Sequence, residues 1–188
     1  MKKIFLSGAL LLASTITMAA DFKYTYGEVG FGEGRGDGEG LFIGGAVDLQ
    51  QGFGIVGAYY ALDYERGLNE DGDLDIFTIG MQYHTQLNTQ ADFVGSIQMI
   101  HAELDRNRGD IDDTGLLLRG GIRYAFQQNL HLEGDLSYIT NDFWDDDELG
   151  VKVGLRFYPA SQLSMAVGAA NDQELDGLYI SGRYDFTR

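Results

Sequence analysis

From Phe22 to Phe186 the chain alternates between apolar and small or polar side chains, in segments of about ten residues divided by polar breaks. Period-two alternation puts every second side chain on one face of a β-strand, so each segment has one face suited to an apolar medium and one to a polar medium. Phe77, Ile79, Met81 and Tyr83 oppose Thr78, Gly80, Gln82 and His84. Leu130, Leu132, Leu136 and Tyr138 oppose His131, Glu133, Asp135 and Ser137. Leu149, Val151, Val153, Leu155 and Phe157 oppose Gly150, Lys152, Gly154 and Arg156. The breaks take turns in kind. Gln50–Gly52, Gln86–Gln90, Gln127–Asn129 and Pro159–Ser161 are short and weakly charged, whereas Glu33–Glu39, Asp63–Asp75, Glu103–Asp113, Asp142–Glu148 and Asp172–Asp176 are longer and acidic. Four short and five long breaks predict ten strands in one all-β, antiparallel, up-and-down barrel, with eight strands as the alternative count.

Composition agrees. Eleven Phe, eleven Tyr and 27 Gly with a single Pro suit a sheet, and the lack of Cys excludes disulfides, thiolate metal sites and cysteine nucleophiles. A net charge of −16 argues against a nucleic-acid partner, which needs a basic face. The five long breaks hold 22 of the 29 acidic residues and only four basic ones, Arg35, Arg66, Arg106 and Arg108. Acidity is therefore gathered on one rim. Residues 1–20 read as a cleaved signal peptide. Lys2 and Lys3 precede the apolar run Ile4–Ile16, and Thr17 to Ala20 supply a cleavage site before Asp21. The barrel domain is then 21–188.

Residues equidistant from a hairpin's centre oppose each other and share a face. A centre at Gln51 pairs Val47 with Ile55 and Ile43 with Tyr59; one at Gln128 pairs Phe126 with Leu130 and Tyr124 with Leu132. A centre at Asn88 pairs Tyr83 with Phe93, Ile79 with Ile97 and Phe77 with Met99. One at Ala160 pairs Phe157 with Leu163, Leu155 with Met165 and Val153 with Val167. The same rule sets Arg123 opposite Glu133 and His84 opposite Asp92, all inward, and His101 opposite Asp75, outward. In the first strand Phe22, Tyr24 and Tyr26 share one parity and Val29 and Phe31 the other, which predicts a bulge near Gly27.

The apolar face is expected to meet lipid. Phe53, Tyr83, Phe93, Tyr124, Phe126, Phe157, Tyr184 and Phe186 lie near the short turns, and Phe31, Tyr59, Phe77 and Tyr138 near the long loops, as aromatic girdles at two bilayer interfaces would. With its signal peptide, its alternating hairpins and the terminal strand Leu178 to Phe186, the chain resembles the small outer-membrane β-barrel, porin-like proteins of Gram-negative bacteria. The resemblance implies an outer-membrane location, contact with lipid and lipopolysaccharide, and insertion by the barrel-assembly machinery, which reads the aromatic last strand. Thr187 and Arg188 depart from the pattern, because an aromatic normally ends the chain. A monomer is the default.

Three sets of residues carry the functional expectations. His84, Asp92, Arg119, Arg123, Glu133, Asp135, Lys152, Arg156, Arg183 and Asp185 share the inward parity and line the lumen, as a salt-bridged plug or as a narrow pore for small ions. Asp71, Asp73 and Asp75 have the spacing of the first ligands of a calcium loop, but Ile76 stands where its turn glycine belongs, so only a weak Ca2+ or Mg2+ site is expected there and at Asp145, Asp146 and Asp147. No other cofactor is expected. Arg35-Gly36-Asp37 and Arg108-Gly109-Asp110 each spell the integrin-binding tripeptide and point to adhesion. No enzyme is expected: a dyad at His101 needs a nucleophile or an activated water and no Ser falls nearby in the paired strand, and Trp144 reads as an interfacial anchor. The function expected is a porin-like or structural barrel with an acidic extracellular rim. A surface interaction protein acting through those loops is the alternative.

Overall fold

In the computed structural model the ten alternating segments are ten strands of one closed antiparallel barrel. The structure describes residues 22–34, 38–65, 71–106, 111–140, 148–172 and 174–186. The strands are β1 (Tyr26–Glu33), β2 (Glu39–Gln50), β3 (Phe53–Glu65), β4 (Asp71–Asn88), β5 (Ala91–Arg106), β6 (Ile111–Gln127), β7 (Leu130–Thr140), β8 (Glu148–Ala160), β9 (Leu163–Asn171) and β10 (Asp176–Asp185). Each pairs with its sequence neighbours, and β1 closes on β10 from Tyr26↔Asp185 to Gly32↔Tyr179.

The short turns are two residues long: Gln51-Gly52, Thr89-Gln90, Gln128-Asn129 and Ser161-Gln162. Gln51 and Gly52 both have positive φ (56° and 81°), the backbone that suits a tight hairpin between twisted strands. Beside every one of these turns the ladder slips by one residue, between Asp48 and Gln50, Gln86 and Asn88, Ala125 and Gln127, and Phe157 and Ala160. Each slip is a bulge.

Register follows the sequence reading at two hairpins and departs from it at two. Val47 faces Ile55, Ile43 faces Tyr59 and Tyr124 faces Leu132, as expected, while Leu130 faces Gln127 because Phe126 sits in the bulge. In the β4–β5 hairpin Thr85, not Tyr83, faces Phe93, and Ile79 faces Met99. In the β8–β9 hairpin Phe157 faces Met165 and Leu155 faces Val167. Both ladders are displaced by two residues, because the turns lie at Thr89-Gln90 and Ser161-Gln162 rather than at Asn88 and Ala160. A two-residue shift keeps every side chain on its face. The bulge expected near Gly27 is absent: β1 pairs with β2 without interruption, and Phe22 to Thr25 lie outside the strand.

The outer face is apolar. Ile43, Ile55, Ile79, Met81, Ile97, Leu136, Val153 and Leu178 are exposed along it, and the aromatics of both girdles stand outward on the same face. Strand length is uneven around the barrel. β4, β5 and β6 have 18, 16 and 17 residues, while β1, β9 and β10 have 8, 9 and 10. A tilted strand crosses a bilayer in about 9–11 residues. Against such a span β4 is longer by about seven residues, roughly 16 Å at ~3.3 Å each and ~45° tilt, and with β5 and β6 it forms a wall at the long-loop end of the barrel. The long acidic breaks at Asp63–Asp75 and Glu103–Asp113 are therefore largely strand, and the described residues carry them as ladder positions.

Candidate functional site

The lumen has two layers. Toward the long-loop end it is apolar. Leu62, Leu74, Ile76, Ile100, Leu117 and Ile139 point inward and pack with Phe42, Tyr60 and Tyr179; Ile76, Ile100, Leu117 and Ile139 are 0% exposed. Glycines make room for the rings: Gly30 faces the Phe42 ring, and Gly154 and Gly168 face the Tyr179 ring, where a Cβ would collide. The connection between β9 and β10 folds down onto this layer. Leu175 inserts into it, and the Asp172 carboxylate accepts the backbone N–H groups of Glu174 (3.1 Å) and Leu175 (2.9 Å). Glu174 receives two hydrogen bonds from Arg119 on β6, at 2.9 and 2.7 Å. Asp172 lies outside the strands, and burial, reinforced by the neighbouring Glu174 charge, pushes its carboxyl up to about 7.

Toward the short-turn end the lumen is charged. Arg156, 3% exposed, binds Glu133 through Nε (2.9 Å) and Glu28 through Nη2 (2.9 Å), and donates to Ser164 (3.2 Å). Ser181 donates to Glu28 at 2.5 Å. These contacts tie β1, β7, β8, β9 and β10 together across the interior. Arg183 donates to Asp185 (2.6 Å) and stacks over the Tyr26 ring at 3.6 Å. Arg123 does face Glu133 across the β6–β7 ladder, but its guanidinium lies over Tyr24 at 4.8 Å and Tyr26 at 5.9 Å. Lys152 faces Asp135 on β7 and points its ammonium at the rings of Tyr179 (4.6 Å) and Phe42 (5.5 Å). Asp135 fills the space that Gly121 leaves open.

His84 and Asp92 are inward as expected, but they do not oppose each other. His84 faces Val94 and Asp92 faces Gln86. Tyr24 brings both into one cluster: its ring stacks on His84 (centroids 3.6 Å apart) and its hydroxyl donates to Asp92 (2.7 Å). His84 Nε2 is also 3.3 Å from an Asp48 oxygen. His101 faces Phe77 and Thr114 rather than Asp75, and its Nδ1 lies 2.9 Å from the Thr114 hydroxyl.

Asp73 and Asp75 sit on β4, not in a loop, and Asp71 begins that strand. Their outward ladder neighbours are acidic: Asp63, Asp73 and Asp105 form one cross-strand row, and Asp75, Glu103 and Asp112 another. Same-face residues on a strand are spaced too widely for the sequential ligands of a calcium loop. Among the described residues no group of three or more His, Asp or Glu is gathered so as to hold a metal ion. Asp145, Asp146, Asp147 and Trp144, both Arg-Gly-Asp tripeptides and the signal segment lie outside the described residues.

Glu28, Ser164, Ser181, Asp172, Glu174 and Tyr24 were missed by sequence reasoning. Without the bulge at Gly27, Glu28 takes the inward parity, so its role was readable. Nothing in the acidic run Asp172–Asp176 distinguishes a residue folded into the lumen from one in solvent.

No protein-family model and no curated protein sequence matches the chain. Among solved structures it is similar to the KdgM porin, with a TM-score of 0.51 and 11% identity over 87% of this chain and 99% of that one. A KdgM porin in complex with disordered oligogalacturonate gives 0.48 and 11% identity over 87% and 99%. Ail, the attachment invasion locus protein of Yersinia pestis, gives 0.41 and 14% identity over 86% and 94%. The likeness is one of fold: a closed antiparallel β-barrel of the kind the KdgM porin has.

Proposed function

We propose that the chain is a bacterial outer-membrane barrel whose lumen is a structural plug and whose working surface is the acidic wall of β3 to β6 on the extracellular side. The observation that carries this reading is the apolar layer. Ile76, Ile100, Leu117 and Ile139 leave no exposed surface, and Leu175 closes over them. A dry hydrocarbon layer bars ions, because a charge crossing it loses its hydration. Below it Arg156 clamps Glu28 and Glu133, so the charges satisfy one another instead of lining a path.

The wall supports a surface role. Its two rows set like charges directly opposite each other, which costs about 0.2–1 kcal/mol per pair. Ca2+ or Mg2+ gathered over the rows, without a built coordination site, relieves that cost and bridges to the phosphates of neighbouring lipopolysaccharide. The test is electrical. The refolded chain in a planar bilayer is expected to insert without discrete conductance steps across salt and pH. Regular cation-selective steps would instead establish the narrow pore, for which the charged cavity behind Arg123 is the supporting feature.

A further inference from the structure

Phe22 to Thr25 belong to no strand, yet each is engaged at the short-turn end of the lumen. Phe22 meets His131 edge-on, with centroids 5.1 Å apart. The Lys23 carbonyl accepts hydrogen bonds from Arg183 and from Arg123 (3.5 Å). Tyr24 is 6% exposed, stacked on His84 and bonded to Asp92. Thr25 accepts from the Asp48 N–H through its hydroxyl (3.0 Å) and from the Phe186 N–H through its carbonyl (2.9 Å). The segment thus runs from the β1–β10 seam to the opposite wall, touching β4, β5, β6 and β7.

Its position is between two spaces. Phe22, Lys23, Tyr24 and Thr25 line an open recess of about 570 Å3 at the mouth, with Asp48, His84 and Asp92. Arg123 and Arg183, which hold the segment from the other side, line an inner cavity of about 140 Å3 with Gln82, Ser96, Gln98 and Lys152. Gln82, 3% exposed, borders this cavity, and its Nε2, like Arg119 Nε, is buried without a hydrogen-bond partner. The cavity, lined by charged and amide side chains, is large and polar enough to hold several water molecules. Water needs a way in. The apolar layer closes the long-loop end, so the path runs through the short-turn mouth, past Tyr24.

We propose that Phe22–Thr25 is a retractable stopper, an internal peptide seated in a socket of His84, Asp92, Arg123 and Arg183, which governs access from the periplasm to the inner cavity. The contacts suit a reversible seat. They are hydrogen bonds, two ring contacts (Phe22 with His131, Tyr24 with His84) and the Arg123 guanidinium over Tyr24, each modest by itself, with the hinge at Thr25 where the ladder begins. The periplasmic assignment of this end rests on the function proposed above; the stopper itself does not.

The chain has no cysteine, so one placed at Gln82 reports the cavity alone. In folded barrels in vesicles open to reagent on both faces, Gln82→Cys is expected to react slowly with a water-soluble methanethiosulfonate. Adding Tyr24→Ala should raise the rate at least tenfold, and adding Tyr24→Phe, which keeps the ring stack and removes only the Asp92 bond, about two- to fivefold. A cysteine at exposed Gln51 should react alike in all three backgrounds, and heat-dependent gel mobility confirms folding. Equal rates at Gln82 with and without the Tyr24 ring would overturn the stopper. So would rapid labelling in the unmodified background. The Tyr24→Ala barrel should still pass no current; steps appearing there would overturn the plugged-lumen reading while leaving the stopper standing.

Discussion

Arg156 and Glu133 are bound at 2.9 Å from neighbouring strands, although the residue directly across the ladder from Glu133 on the other side is Arg123. Glu133 thus has two arginines within reach of its strand and takes the one that also holds Glu28. Removing one partner of a buried pair leaves the other charge uncompensated, a loss of about 3–5 kcal/mol. Arg156→Ala strands two carboxylates and is expected to fall in or above that range. Arg123→Ala gives up ring contacts and one long hydrogen bond, about 1–2 kcal/mol. Denaturant unfolding of both variants in vesicles measures the difference; a larger loss for Arg123→Ala would reverse the assignment.

The buried Asp172 carboxyl gives the outer turn a pH dependence. Its folded value, pushed up to about 7, lies above the ordinary 3.8. The folded turn therefore holds its proton more tightly than the open turn does. Its stability is fully present below pH 4 or so, falls as pH rises, and levels off above about 7, a change of roughly 2–4 kcal/mol. Arg119 and Lys152 oppose the trend and Glu174 reinforces it. Asp172→Asn should abolish the slope, read by hydrogen exchange of residues 174–176 after correction for intrinsic rates. A slope of unchanged size in the variant would place its origin elsewhere.

The close approach of Tyr179 to Gly154 predicts a coupling. A Cβ at 154 would meet the Tyr179 hydroxyl first, with the ring carbon that carries it next at 3.3 Å. Gly154→Ala should cost about 1–3 kcal/mol as overpacking. In the Tyr179→Phe background most of that cost should disappear, a coupling of roughly 0.5–3 kcal/mol in a double-mutant cycle. Additive losses would show that the hydroxyl is not what the new methyl meets.

Millimolar Ca2+ or Mg2+ should raise the thermal unfolding midpoint by relieving repulsion along Asp63, Asp73 and Asp105 and along Asp75, Glu103 and Asp112. Asp73→Asn with Glu103→Asn should raise the midpoint without cations and shrink the response to them. A response equal in both proteins would mean that the cations act away from the wall.

The faces of the strands were legible in the sequence and the partners across them were only partly so. Tyr83 and Phe93 share the outer face in either register, since a period-two pattern is blind to a shift of two. Only the turn position tells the registers apart, and Gln86 to Gln90 offered four polar residues around Leu87 for a two-residue turn. Arg123 and Glu133 came out right because Gln128-Asn129 left little room for error. The height of β4 to β6 was hidden by chemistry: Asp73, Glu103 and Asp105 read as loop because acids favour solvent, and a strand above a membrane is in solvent. Phe22 and Tyr24 continue the alternation of a strand they do not join, so composition gave no sign that they turn inward. Glu174 was invisible for the converse reason, being one acid among several with its partner 55 residues away.

Unequal strands give the molecule a heading. On the function proposed above, lipids see a closed cylinder, but above them β4 to β6 stand like a screen on one side while β9, β10 and β1 end low. A large molecule coming from solvent meets carboxylates if it arrives across the screen. Arriving over the low side it comes directly onto the turn that Arg119 holds down. Rotation of the barrel in the plane of the membrane therefore changes what its neighbours encounter, and two identical copies side by side are not equivalent until their bearings are given.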